Sequence, residues 1–194
     1  MNLPNKLTLL RVFLIPFFLL FMYIKIPFHY FLALIVFSVA SITDALDGKI
    51  ARSRNLVTNF GKFLDPLADK VLVISALAVF VEIVEIRIGA IPFIIICARE
   101  FMVSGLRLLA ANSGIVVAAG IWGKLKTAFT MITIIFSILW LSVCHDFSFS
   151  FPQFFVDTVD NWIIPVLIWI STVLTIISGV IYLKGYWNLI DADK

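Results

Sequence analysis

The sequence predicts an all-α polytopic membrane protein: six transmembrane helices with an active site at the cytoplasmic edge. Three observations predict it. Hydrophobic residues make up 62% of the chain and mean hydropathy is +1.09, values of a membrane protein rather than a soluble domain. At about 20 residues per spanning helix, six spans nearly fill the 194 residues. That leaves one membrane domain over residues 1–194 and no room for a soluble one. Lysine and arginine also collect in alternate turns, as a fixed topology requires. The net charge of +3 is small, and no nucleic-acid partner is expected.

The first expected span covers residues 7–24, where Pro16 can kink it. Ahead of it, Asn5 and Thr8 suit capping and first-turn positions, and Lys6 and Arg11 suit cytoplasmic anchors. The opening run is apolar too soon, and lacks the small-residue cleavage site, for a removable signal peptide. A second span, residues 28–50, carries Asp44 and Asp47 at its far end, and a polar loop follows. The third, residues 64–84, opens on Asp65-Pro66. Either Asp65 caps this helix, with proline in its first turn, or the helix starts earlier and bends at Pro66. Glu82, Glu85 and Arg87 mark a solvated turn on the opposite side.

The fourth span, residues 91–111, is unusual because Arg99, Glu100 and Arg107 lie within it. The fifth opens with Trp122-Gly123-Lys124-Leu125-Lys126-Thr127 and ends near Cys144. Residues 145–160 alternate Phe147, Phe149 and Phe151 with Ser148 and Ser150, an interfacial stretch. The sixth, residues 162–183, ends in an aromatic and basic belt of Lys184, Tyr186 and Trp187. Two cysteines, Cys97 and Cys144, sit in apolar runs and imply no disulfide framework.

Six spans put both termini on one side. With the N-terminus inside, Lys49, Arg52, Arg54, Lys62, Lys124, Lys126 and Lys184 are inside too. The outer turns hold one cation each, Lys25 and Arg87. The positive-inside rule therefore selects cytoplasmic termini in the cell membrane, with the aspartate-rich stretch at its cytoplasmic edge.

That stretch carries the chemistry. Asp44, Asp47, Asp65 and Asp69 fall within 26 residues, and membrane-edge carboxylates are costly enough to point to function. At about 100° per residue, Asp44, Asp47, Gly48 and Ala51 share one helix face. Gly61, Asp65 and Asp69 share another if their run is helical. Hard divalent cations take such oxygen ligands, and Mg²⁺ is commonly held by a few carboxylates plus substrate phosphates. Lys49, Arg52, Arg54, Lys62 and Lys70 interleave with the acids, which suits a phosphate-bearing ligand. A network of interfacial salt bridges is the plainer alternative.

Asp44-x-x-Asp47-Gly48-x-x-Ala51-Arg52, then eight residues, then Gly61-x-x-x-Asp65-x-x-x-Asp69 resembles without a departure the signature of the CDP-alcohol phosphotransferases. The resemblance implies transfer of a phosphatidyl group from CDP-diacylglycerol to an alcohol with release of CMP. It also implies two divalent ions, Mg²⁺ or Mn²⁺, per active site, and a homodimer in membrane lipid. Asp44, Asp47, Asp65 and Asp69 are the implied metal ligands, and Asp69 is also the base toward the attacking hydroxyl. Gly48, Ala51, Arg52, Thr58 and Gly61 are implied at the CDP moiety. Asn5-x-x-Thr8-x-x-Arg11 is similar to the segment that closes over the nucleotide in members making phosphatidylglycerol phosphate, so Asn5 and Thr8 join the donor site.

The acceptor is a separate question. Arg99, Arg107, Lys124 and Lys126 are cations in or beside spans, where they need anionic partners. Glu100 is expected to neutralise at most one, which leaves a positive pocket for an acceptor with its own phosphate, such as glycerol 3-phosphate. Snorkelling interface anchors are the alternative for Lys124 and Lys126. The blocks A-R-E-F-M-V-S-G-L-R, G-K-L-K-T and F-L-D-P-L-A-D-K-V-L-V are similar to those of bacterial members that make phosphatidylglycerol phosphate. Other acceptors stay open: a phosphatidylinositol-phosphate synthase would use the same pocket, and a cardiolipin synthase would take phosphatidylglycerol. So do a metal-ion transporter, whose sites commonly sit nearer the midplane, and a lipid-binding scaffold that kept the motif.

Overall fold

Helix follows helix through the computed structural model, which describes residues 3–53, 59–86, 88–112, 120–147 and 149–187. Side chains are described except at 3–4, 45–53, 59–66 and 111–112. No strand occurs among the described residues. The long helices are α1 (Leu3–Tyr23), α2 (His29–Ser53), α3 (Asn59–Glu82), α4 (Ala90–Asn112) and α5 (Ile121–Leu141). After α5 come a π-helical turn, Ser142–Asp146, the short α6 (Gln153–Thr158), a second π-helical turn, Val159–Ile163, and α7 (Ile164–Gly185). Among the described residues, three stretches are apolar and long enough to cross a membrane: Asn5–Tyr23, Ile121–Asp146 and Gln153–Gly185. His29–Asp44 is a shorter apolar helix.

The α1–α2 hairpin is the base of the bundle, with α3 against α1, and α5 between α2 and α7. Phe18, Phe37, Leu72, Leu77, Phe80, Ile134 and Ile138 fill its centre. The hairpin turn carries Phe28 at φ 59, uncommon for a residue with a Cβ. The Phe28 ring meets Phe147 edge-on at 5.4 Å, which ties the turn to the end of α5.

Outside and inside are inverted relative to a soluble bundle. Phe13, Phe17, Ile91, Ile94, Phe101, Trp162 and Trp169 face outward, whereas Thr130, Thr133, Ser137, Ser171, Thr172, Thr175 and Ser178 are buried. Small hydroxyl residues let α5 and α7 approach closely, as helices in lipid do. Thr133 Oγ1 and Ser171 Oγ pair across that contact at 3.2 Å. Thr172 and Thr175 donate to carbonyls one turn back, so their hydroxyls cost little where they are buried.

One open alternative is decided, and one local expectation changes. α3 begins at Asn59, so Asp65 and Pro66 lie inside it and Asp65 is not its cap. The Pro66 nitrogen has no hydrogen for the helical ladder, a cost the helix carries rather than ends on. The last helical run begins at Gln153, ahead of the expected residue 162. Trp140 Nε1 donates to Asp160 Oδ1 at 2.6 Å, and Phe151 and Phe155 pack on the same indole at 5.6 and 5.8 Å. Much of the interfacial stretch is thus helix docked on α5. Glu82 is exposed, as expected of that turn, and it also accepts the Tyr23 hydroxyl at 2.8 Å, which joins α3 to α1. Arg87 and Ser148 lie outside the described residues.

Candidate active site

Two charged clusters contain the candidate residues whose side chains are described. The first lies where α1 crosses α2. Asn5, Thr8 and Arg11 follow at i, i+3 and i+6 along α1, and all three are buried. The guanidinium of Arg11, 0% exposed, pairs through Nη1 with Asp44 Oδ1 at 2.8 Å, and its Nε donates to the Ala40 carbonyl at 3.3 Å. Arg11 is therefore no interface anchor. A buried charge needs a partner, and the first aspartate of the motif supplies one. Lys6 does face outward, as an anchor should. Asn5 stands inside the first turn of α1 and Thr8 beyond it, so neither is the residue ahead of the helix that a cap requires.

The Asp44 side chain is 37% exposed, open enough to serve a ligand. The backbone is helical at 44, 47, 48, 51 and 52 and at 61, 65 and 69, so the register expected for both halves of the motif holds. The side chains of Asp47, Arg52 and Asp65, and the positions Gly48, Ala51, Thr58 and Gly61, lie outside the described side chains. Among the described residues no three His, Cys, Asp or Glu side chains converge. Asp44 and Asp69, the two described candidates, offer carboxylate oxygen, the donor type that suits a hard divalent cation.

The second cluster is a cleft of about 480 Å³ between α3, α4 and α5. Asp69 and Lys70 line it from α3, Arg99, Glu100, Ser104 and Arg107 from α4, and Gly123, Lys124 and Thr127 from α5. Four cations thus face two carboxylates. Glu100 bonds two cations, but its single negative charge still neutralises only one of them, as expected. Its Oε1 accepts Arg99 Nη1 at 2.8 Å and Lys126 Nζ at 2.6 Å. Lys126 is 3% exposed, so it does not snorkel. It stands behind the cleft and reaches it through Glu100. Lys124 is exposed at the rim.

Arg99 and Arg107 are held from a third side by α7. Arg99 Nη2 donates to Ser178 Oγ at 2.6 Å and Arg107 Nη2 to the Tyr182 hydroxyl at 2.9 Å. Both guanidinium groups also lie over the Tyr182 ring, at 5.6 and 5.5 Å. Arg99 Nε is buried without a hydrogen-bond acceptor. Ser178 and Tyr182 were not singled out from the sequence. Their signal was a stripe, Ser171, Thr175, Ser178 and Tyr182, spaced by four, three and four along an apolar helix.

An apolar helical bundle with a charged cleft between its helices fits a membrane protein that handles a charged ligand. The chain belongs to the CDP-alcohol phosphatidyltransferase family, whose model matches residues 1–180. A relative from Bacillus subtilis (strain 168) is 39% identical over 206 residues, covering 100% of this chain and 99% of its own length. One from Rickettsia bellii is 40% identical over 95% of this chain and 94% of its own. One from Haemophilus influenzae is 42% identical over 69% and 73%. Each is named CDP-diacylglycerol–glycerol-3-phosphate 3-phosphatidyltransferase.

Proposed function

We propose that this protein transfers the phosphatidyl group of CDP-diacylglycerol to sn-glycerol 3-phosphate, giving phosphatidylglycerol phosphate and CMP. The observation that carries the reading is the shared cleft: Asp69 lines the same cavity as Arg99, Arg107 and Lys124. An acceptor phosphate seated on those cations keeps its hydroxyl in a cavity that also holds a carboxylate base. The names of the relatives support the same donor and acceptor.

In this reading Asp69 takes the proton of the acceptor hydroxyl. The oxygen bonds to the phosphorus that carries diacylglycerol, the P–O bond to CMP breaks, and CMP leaves. Asp44, Asp47, Asp65 and Asp69 would hold two divalent ions, Mg²⁺ or Mn²⁺, whose charge would neutralise the diphosphate and the leaving group. Asn5 and Thr8 close over the nucleotide from α1. Gly48, Ala51 and Gly61 leave room for it, and Arg52 and Thr58 contact the CDP moiety. Arg99, Arg107 and Lys124 bind the acceptor phosphate, with Lys126 setting the charge of Glu100 behind them. The protein is a single membrane domain with six spans and cytoplasmic termini, working as a homodimer in the cell membrane.

The aspartate variants test the division of roles. Asp69→Asn should lower turnover by about 10²–10⁴, the range for loss of a general base, while a CDP-diacylglycerol analogue still binds in a metal-dependent way. Asp44→Asn and Asp47→Asn should weaken metal and donor binding together by titration calorimetry, with partial rescue at high metal concentration. Near-normal turnover by Asp69→Asn would remove that residue from the mechanism.

A further inference from the structure

The last helix takes no part in the family signature, yet it holds two arginines of the cleft, Arg99 buried and Arg107 exposed. Ser178 and Tyr182 lie one turn apart on the buried face of α7, and Tyr182 is 5% exposed. The Tyr182 hydroxyl accepts Arg107 Nη2 from α4 at 2.9 Å and the Gly120 N–H, just ahead of α5, at 3.3 Å. Its ring sits under both guanidinium groups, and cation–π contact is strongest where water is excluded. Gly179 makes this possible on the Arg99 side. A Cβ there would come within 3.2 Å of Arg99 Cγ, so the arginine stem would have to shift by a few tenths of an ångström. The stem of Arg99 therefore passes over Gly179, and its head is caught by Ser178.

We infer that Tyr182, with Ser178, is a positioning residue for acceptor specificity: it fixes the two arginines at the separation that receives a phosphate monoester. This rests on the reading of the cleft as the acceptor site. Neither Ser178 nor Tyr182 lines the cavity, so each acts through an arginine rather than on the acceptor. Long arginine side chains lose much rotamer entropy when ordered. A rigid aromatic platform with a hydroxyl at its edge meets that cost before the acceptor arrives. Phosphorylated acceptors benefit from this preorganisation, and unphosphorylated alcohols do not.

A double-mutant cycle with Tyr182→Phe and Arg107→Gln tests it, using full-length protein in lipid nanodiscs with CDP-diacylglycerol and glycerol 3-phosphate. Tyr182→Phe keeps the ring and removes the hydroxyl. It should raise KM for glycerol 3-phosphate roughly ten-fold, the scale of one hydrogen bond to a charged group. kcat and KM for CDP-diacylglycerol should stay near wild type. Added to Arg107→Gln, it should cost little more, because its partner is already gone. Ser178→Ala should behave like Tyr182→Phe, through Arg99. If Arg107→Gln leaves KM for glycerol 3-phosphate unchanged, the acceptor reading falls, and this inference with it. If Arg107→Gln raises KM while Tyr182→Phe does not, or if the two effects multiply, only the positioning role is overturned.

Discussion

Glu100→Gln is the most informative single change to the charge balance of the cleft. One carboxylate oxygen holds Arg99 at 2.8 Å and Lys126 at 2.6 Å, and Lys126 is almost wholly buried. The amide keeps one acceptor oxygen and loses the charge. A hydrogen bond to a charged carboxylate contributes about 1.5–3 kcal/mol against about 0.5–1.5 for a neutral one. Downgrading two such bonds therefore costs about 2–3 kcal/mol. At roughly 2–4 °C per kcal/mol for a chain of this size, the thermal midpoint should fall by about 4–12 °C. Unfolding in nanodiscs, followed by tryptophan fluorescence, measures it. Adding Lys126→Met removes the stranded cation and should recover at least half the loss, since replacing both partners of a buried pair is far cheaper than breaking it. A Glu100→Gln protein that melts with wild type would refute the reasoning. So would a double variant less stable than the single one.

Two more outcomes follow from the other end of the site and from topology. Arg11→Gln removes the ion pair to Asp44 and should raise KM for CDP-diacylglycerol roughly ten-fold while leaving KM for glycerol 3-phosphate unchanged; equal effects on both substrates would detach Arg11 from the donor site. With Cys97 and Cys144 replaced by alanine, a cysteine at Gln153 should react with an impermeant thiol reagent added outside intact cells, and one at Lys6 should not. The reverse pattern would overturn the cytoplasmic orientation.

The Asp44–Asp69 motif was legible because its information lies in fixed spacing, and helical backbone preserves spacing as shared faces. The cations of the cleft were legible for a related reason: Arg99 and Arg107 inside an apolar run are too costly without a task. What each charge pairs with was not legible. Arg11 and Lys126 both stand near the ends of apolar runs, where snorkelling to the interface is the ordinary solution. Only the packing of α1 on α2 and of α5 near α4 turned them inward to Asp44 and Glu100. The start of α3 was ambiguous because proline suits a first turn and can also be carried further inside a helix. The long helical run before Trp162 was hidden by alternating Phe and Ser. That pattern reads as an interfacial strip until Trp140 gives the phenylalanines a surface to pack on.

The central claim is the reaction itself. Purified protein in nanodiscs, given CDP-diacylglycerol and Mg²⁺ or Mn²⁺, should be offered glycerol 3-phosphate, inositol phosphate and phosphatidylglycerol in parallel, with CMP and the lipid product both quantified. The account predicts equimolar CMP and phosphatidylglycerol phosphate with glycerol 3-phosphate, and little turnover with the other two. Faster CMP release with inositol phosphate or phosphatidylglycerol, or none with glycerol 3-phosphate, would contradict it.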